Sequence, residues 1–196
     1  MLSYKDSLKV LKKTRALLEG HFVLSSGLHS PKYIQCAKLL SYPHHALKLC
    51  NSLTGKIKNA FPLVDVILSP ALGGIVIGYE IGRQLSIETI FAERIKGKFK
   101  LRRGFSIKEQ AKVLIMEDVI TTGKSSLECS KIVKKAKAKL LGFVCIIDRS
   151  DKKNLLIKNN KIISQIKINI PTYKKKNLPS FLKKIPISKP GSKHLR

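Results

Sequence analysis

Residues 113–125 read Val-Leu-Ile-Met-Glu-Asp-Val-Ile-Thr-Thr-Gly-Lys-Ser. The apolar run Val113–Met116 has the length of a buried strand. Two adjacent acids, Glu117 and Asp118, stand at its carboxyl end. After Val119 and Ile120 the chain turns through Thr121-Thr122-Gly123 into a stretch with helical spacing. In open α/β sheets, ligands bind at the carboxyl ends of strands. A tight turn of Thr, Gly and Ser at a helix start offers backbone N–H and hydroxyl donors to an anion. Two carboxylates beside it can accept hydrogen bonds from vicinal hydroxyls. Read as chemistry, the stretch asks for a sugar phosphate. Gly123-Lys124-Ser125 also ends like a nucleotide-binding P-loop, but that motif requires glycine at position 118, where Asp stands. A helix start capped by threonine would explain one hydroxyl and neither acid.

Outward from this stretch, strands and helices alternate. Val64–Leu68 is a short apolar run stopped by Ser69-Pro70, and Gly73-Gly74 leads into a helix over Ile75–Leu85. Glu88–Ala92 and Leu141–Ile147 predict further strands. A helix over 124–139 would present Cys129, Ile132, Val133, Ala136 and Leu140 on one face. Continuous apolar runs separated by helices predict a mostly parallel sheet covered on both sides. Towards the start, residues 3–18 predict a helix with Leu8, Leu11, Ala16, Leu17 and Leu18 on its apolar face, ended by Gly20. His21–Leu24 and Lys32–Cys36 predict short strands around the turn Ser25-Ser26-Gly27. Pro43 opens a helix carrying Ala46, Leu47, Leu49, Leu53, Ile57 and Ala60. Residues 93–104 are polar, basic and Gly-bounded, and predict a loop. Beyond 170 the chain is rich in Lys and Pro and predicts a loosely held tail.

The chain has 196 residues, of which 43% are hydrophobic, enough for one domain with a real core. That fraction excludes a chain disordered throughout. No apolar run reaches the roughly 18 residues of a membrane span. The charged first twenty residues read as an ordinary helix rather than a secretory signal. Cys36, Cys50, Cys129 and Cys145 form no CxxC pair and predict free thiols in a reducing compartment. No pair among His21, His29, His44, His45 and His194 has helical metal-ligand spacing. The net charge is +27 and is spread along the chain, although residues 151–196 carry 13 Lys and Arg against one acid. Without Trp or an Arg-aromatic stripe, this reads as solvated lysine faces rather than a nucleic-acid surface. Its physical consequence is a positive field that speeds capture of polyanions.

The stretch 113–125 resembles the signature of the type I phosphoribosyltransferases: apolar residues, two acids, two apolar residues, Thr-Thr-Gly and a closing Ser or Thr. Other segments are similar to the orotate-specific branch of that family. LEGHFVLSSGLHSPKYIQ (Leu18–Gln35) resembles its N-terminal hood and orotate loop, and SPALGGI (Ser69–Ile75) its pyrophosphate loop. FAER (Phe91–Arg94) with LRRGF (Leu101–Phe105) resembles its flexible catalytic loop, and IDRS (Ile147–Ser150) the strand end that holds the orotate carboxylate. The resemblance implies an α/β fold with a central, mostly parallel sheet flanked by helices and a small hood over about residues 1–40. The phosphoribosyltransferase domain would span 1–170, with 171–196 a basic C-terminal tail. The implied reaction moves the phosphoribosyl group of phosphoribosyl pyrophosphate (PRPP) to orotate, giving orotidine 5′-phosphate and diphosphate for UMP. The resemblance further implies magnesium carried by PRPP rather than a protein metal site, a cytoplasmic homodimer with a shared lid, and no membrane or specific nucleic-acid partner.

The same resemblance assigns roles. Glu117 and Asp118 would take the ribose hydroxyls, and Val119, Ile120, Thr121, Thr122, Gly123, Lys124 and Ser125 would cradle the 5-phosphate. Ala71, Leu72, Gly73 and Arg94 would meet the pyrophosphate. Lys98 and Lys100, on the lid, would join Asp118 as catalytic residues. Thr121, Arg149, Ser25, Tyr33 and Ile34 would hold orotate, the planar Arg149 fork facing its carboxylate. The chain also departs from the better-known pattern. Many members carry Lys at the places of Ser25 and Gly73 and a lid histidine that is missing here. Leu178-Pro-Ser-Phe181 stands where the branch with this lid often has CxxC. Two other readings stay open: a phosphoribosyltransferase for another base, and a non-catalytic nucleic-acid-binding regulator on the same fold.

Overall fold

The computed structural model describes residues 1–24, 26–151 and 153–188. In chain order the elements are α1 (Tyr4–Lys13), β1 (Leu17–Val23), β2 (His29–Ile34), α2 (Cys36–Leu40), α3 (Pro43–Ala60), β3 (Val66–Pro70), α4 (Gly73–Leu85), β4 (Glu88–Ile95), β5 (Lys98–Leu101), β6 (Lys112–Ile120), α5 (Lys124–Lys135), β7 (Lys139–Asp148), β8 (Ile162–Lys167), α6 (Ser180–Lys183) and β9 (Ile187–Ser188). The main sheet has the order β5-β4-β3-β6-β7-β8 and is parallel except for the β4–β5 pair. A small sheet, β2-β1-β9, forms the hood.

Alternation along the central strand explains why its sequence is apolar throughout. Leu114 and Met116 of β6 join Leu49, Leu53, Ile57, Ile77 and Ile81 of α3 and α4 on one face. Val113 and Ile115 join Cys129 and Val133 of α5 on the other. A strand buried on both faces has no polar side to show.

Several expected boundaries shift. The first helix stops at Lys13 rather than near Leu18: Thr14 Oγ1 donates back to the Val10 carbonyl (2.9 Å) and Arg15 turns to φ 55°. Leu17 and Leu18 instead pair with Ile34 and Tyr33 in the hood. The second hood strand begins at His29 and ends at Ile34, and Cys36 already starts α2. The segment 93–104, expected as a loop, is largely a hairpin. Lys96 and Gly97, at φ 46° and 79°, make the two-residue turn that brings Arg94 opposite Phe99. Phe99 is buried between exposed lysines, so the strand alternation was hidden in a basic run. The helix from 124 ends at Lys135, and Leu140 belongs to β7. Edge strand β8 had no counterpart in the sequence reading.

The stretch after 170 is also better ordered than expected, as far as Ser188. Tyr173 and His29 exchange two backbone hydrogen bonds of 2.8 Å. Leu182 is fully buried, and Ile187–Ser188 runs parallel to β1. His194 and the rest of the tail lie outside the described residues. A buried histidine pair holds this return. His21 Nε2 and His29 Nδ1 lie 2.7 Å apart, and His21 Nδ1 is 3.2 Å from the Ile185 carbonyl. The 2.7 Å contact has room for one hydrogen, so both facing nitrogens cannot carry protons. Burial, then His21 and Lys175, push the His29 pKa below its ordinary 6.5. Folded His29 therefore binds its proton more weakly than the unfolded chain does. Its contribution is complete above the ordinary value and is lost as pH falls below it. Amide exchange at Tyr173, corrected for intrinsic rates, should be faster below about pH 6 than above pH ~7.5; equal protection would contradict this clasp.

Candidate active site

Two helix starts lie at the carboxyl ends of the neighbouring strands β3 and β6. Helix α5 begins behind Gly123 (φ 72°, ψ 19°), with no side chain capping it and no acid in its first turn. Helix α1 shows the ordinary alternative, in which Ser3 accepts the Asp6 N–H. The threonine cap considered for α5 is therefore not what these threonines do: Thr121 and Thr122 are exposed. The open N–H groups and the positive end of the helix dipole favour an anion. Gly123 is required twice over, by its left-handed φ and by Ile157, whose Cγ1 would sit 2.8 Å from a Cβ there. The Leu156 N–H donates to the Thr122 carbonyl (2.8 Å) and holds the turn.

Helix α4 also starts uncapped and without an acid in its first turn. The preceding Ala71 donates its N–H to the Ala92 carbonyl (2.8 Å), which fixes the loop 71–73 against the end of β4. This loop touches the acid doublet: a Cβ on Gly73 would stand 2.8 Å from both carboxylate oxygens of Asp118. Two anion-favouring helix ends thus flank a pair of carboxylates.

Glu117 is 8% exposed, and its Oε1 accepts from Ser126 Oγ at 2.8 Å. Burial pushes its carboxyl up to about 7; the Ser126 hydrogen bond opposes this and Asp118 adds to it. Asp118 Oδ1 accepts the Val119 N–H (2.8 Å), and burial raises its pKa as well. Among the described residues, neither acid has a Lys or Arg within ion-pair distance. The negative charge is left for a ligand's hydroxyls or a developing cation.

Arg149 follows β7, its N–H bonded to the Ile120 carbonyl (2.8 Å). Its neighbour Asp148 is already engaged by Lys167 (3.2 Å) and the Ser150 N–H (2.7 Å). Arg149 Nε is enclosed and has no hydrogen-bond partner. Burial lowers the guanidinium pKa, and the Tyr33 phenol of the hood lies near enough to act against that shift. A half-buried guanidinium whose Nε lacks a partner is a costly arrangement that an incoming carboxylate would relieve. Ile34 is buried in the core, so its side chain is not available to a ligand. Ser25 lies outside the described residues.

The arginines of the segment expected as a lid are tied to their own chain. Arg94 pairs with Glu128 of α5 (2.8 Å) and lies 4.1 Å over the Phe99 ring. Glu93 takes Arg103 (2.8 Å) and Arg102 (3.6 Å). Lys98 and Lys100 are exposed on β5, three strand spacings from β6, about 14 Å at the sheet. The doublet, the cradle and the loop 71–73 thus meet at one end of the sheet, with Arg149 and Tyr33 beside them, whereas the lid lysines stand apart within one chain. Sequence reading missed Ser126, one residue past the signature. The only signal for it was a second hydroxyl in the first turn of a helix that follows a strand-end acid.

Known proteins share this fold and much of this sequence. The phosphoribosyl transferase domain family matches residues 42–175. An orotate phosphoribosyltransferase of Caldicellulosiruptor saccharolyticus is 47% identical over 189 residues, covering 96% of this chain and 97% of that protein. The crystal structure of orotate phosphoribosyltransferase from Aeropyrum pernix superposes with a TM-score of 0.71 at 23% identity, covering 82% of this chain and 92% of the other. Adenine phosphoribosyltransferase from Leishmania tarentolae superposes at 0.63 and 16% identity, covering 85% and 89%. The fold is therefore common to enzymes named for different bases, and it is the sequence match over nearly the full length that discriminates. The chain belongs to the phosphoribosyl transferase domain family and, within it, to the orotate phosphoribosyltransferases.

Proposed function

We propose that this chain transfers the phosphoribosyl group of PRPP to orotate, giving orotidine 5′-phosphate and diphosphate in pyrimidine biosynthesis. The observation that carries the choice of base is Arg149, whose enclosed, unpartnered Nε beside Tyr33 suits a planar carboxylate. Supporting the sugar-phosphate half are the open N-termini of α4 and α5 on either side of Glu117 and Asp118. A chain that had given up catalysis for nucleic-acid binding would have no need of a buried and a half-buried carboxylate side by side without cations.

In the reaction the bond from ribose C1 to the pyrophosphate oxygen breaks and a bond from C1 to orotate N1 forms, while the N1 proton passes to solvent. The ribose passes through a cation-like state. The α5 N–H groups and the Thr121–Ser125 hydroxyls hold the 5-phosphate. Glu117 and Asp118 accept the ribose hydroxyls, and Asp118 places negative charge beside the forming cation. The loop 71–73 receives the departing pyrophosphate, and Arg149 and Tyr33 align orotate. Among the described residues no three His, Cys, Asp or Glu converge as a metal cage. Magnesium bound to the pyrophosphate would meet the protein through the substrate. It would supply neutralisation of the leaving group.

Lys98 and Lys100, distant within one chain, fit a lid offered to a second copy. Leu72 at the start of α4 and Val76 and Tyr79 on it are 84%, 52% and 67% exposed, a stripe that continues from the pyrophosphate loop and supports a homodimer through this face. Val76→Asp combined with Tyr79→Asp should give a monomer in sedimentation; a monomeric parent protein would refute the shared lid. Four buried, unpaired cysteines fit the reducing cytoplasm. The activity is tested by the fall in orotate absorbance with PRPP and magnesium, with adenine as the competing base. Turnover of adenine alone would overturn the assignment.

A further inference from the structure

We propose that Ser126, outside the signature, is a positioning residue that holds Glu117 in its ribose-accepting pose and couples the acid doublet to the phosphate cradle. The inference rests on the proposed role of Glu117 as a ribose-hydroxyl acceptor. Ser126 is fully buried in the first turn of α5, the helix whose open start forms the cradle. Its Oγ donates to Glu117 Oε1 at 2.8 Å, the one hydrogen bond that another side chain makes to Glu117 among the described residues. The Ser126 backbone N–H supports the same carboxylate.

The groups around Glu117 make this donor decisive. Asp118, next on the strand, repels its charge. From α5 it is faced by the Cys129 thiol and from β7 by the Cys145 thiol, both buried and both held neutral by burial. No cation offsets the carboxylate, so hydroxyl and amide donors supply what stabilisation it has. A carboxylate with one oxygen pinned to α5 keeps the other for a ribose hydroxyl. The same bond fixes the distance between the hydroxyl acceptors on β6 and the phosphate donors on α5, as one rigid sugar phosphate requires.

Ser126→Ala removes the hydroxyl without filling the site, and Ser126→Thr restores it. In Ser126→Ala, KM for PRPP should rise about tenfold, as for a lost hydrogen bond to a charged group, with kcat and the orotate KM within about twofold. The acid limb of kcat/KM for PRPP should move to higher pH, because loss of a donor to the ionised form raises the Glu117 pKa further. Ser126→Thr should recover the parent KM and pH profile at equal thermal stability. A general packing defect would lower the melting temperature and leave the acid limb in place. If the parent enzyme turns over orotate but Ser126→Ala keeps its PRPP KM and acid limb, or binds PRPP more tightly, the inference is overturned while the activity stands. If the parent has no turnover, the underlying reading fails instead.

Discussion

Arg149→Ala should lower kcat/KM for orotate by about 30- to 4000-fold, the cost of removing one partner from an enclosed, hydrogen-bonded charge pair at about 2–5 kcal/mol. The loss should fall mainly on orotate, with the PRPP KM little changed, because the cradle and the doublet are built from other elements. Arg149→Lys keeps the charge but loses the two-pronged fork, and should recover only part of the activity. Stability should run the other way. In the free protein the guanidinium is half-buried, its Nε has no partner, and its acidic neighbour is taken up by Lys167 and Ser150. Arg149→Met, which fills the volume without the charge, should therefore melt at the same or a higher temperature than the parent. A residue kept for folding would show the opposite pair of results. Orotate kinetics alongside thermal melts check both, and full activity in Arg149→Ala would mean that another group binds the carboxylate.

The legibility of this chain divides along physical lines. The strand at 113–120 and the helix after it were readable because burial on both faces demands an unbroken apolar run, and because an anion-binding bend needs Gly, Thr and Ser in close order. Gly123 was marked as part of the cradle from sequence alone. Only the packing shows that Ile157 leaves no room for a side chain there. The hairpin at 93–101 was hidden because its inward residues, buried Phe99 and partly buried Leu101, are embedded among lysines, and the turn Lys96-Gly97 has no flanking hydrophobic alternation to announce it. The return of residues 171–188 was hidden for another reason: it depends on His29, Tyr173 and Ile185, far apart in sequence and joined only in the fold. Ser126 was invisible for the same cause, since one hydroxyl among the four of Thr121, Thr122, Ser125 and Ser126 gains meaning from the carboxylate it reaches.

The contact between Gly73 and Asp118 leads to the other large effect. Asp118→Asn keeps the shape and the Val119 hydrogen bond while removing the charge proposed to stand beside C1. It should lower kcat by about 10²- to 10³-fold, the scale of losing one preorganised electrostatic contact in a transition state. The two carboxylate oxygens of Asp118 lie where a Gly73 Cβ would intrude at 2.8 Å, and Oδ1 is anchored to the Val119 N–H. Gly73→Ala must therefore push the carboxylate off its anchor or lift the pyrophosphate loop. A misplacement approaching 1 Å in such a site costs up to about 100-fold. Lysine, which many relatives of this family carry there, should do no better on this backbone. Because the alanine acts through the aspartate, the two losses should not add: in Asp118→Asn, the further change Gly73→Ala should cost only a few-fold. Single-turnover rates for the parent, the two single variants and the double variant close the cycle. Full additivity would show that Gly73 serves the pyrophosphate directly and that its closeness to Asp118 has no part in catalysis.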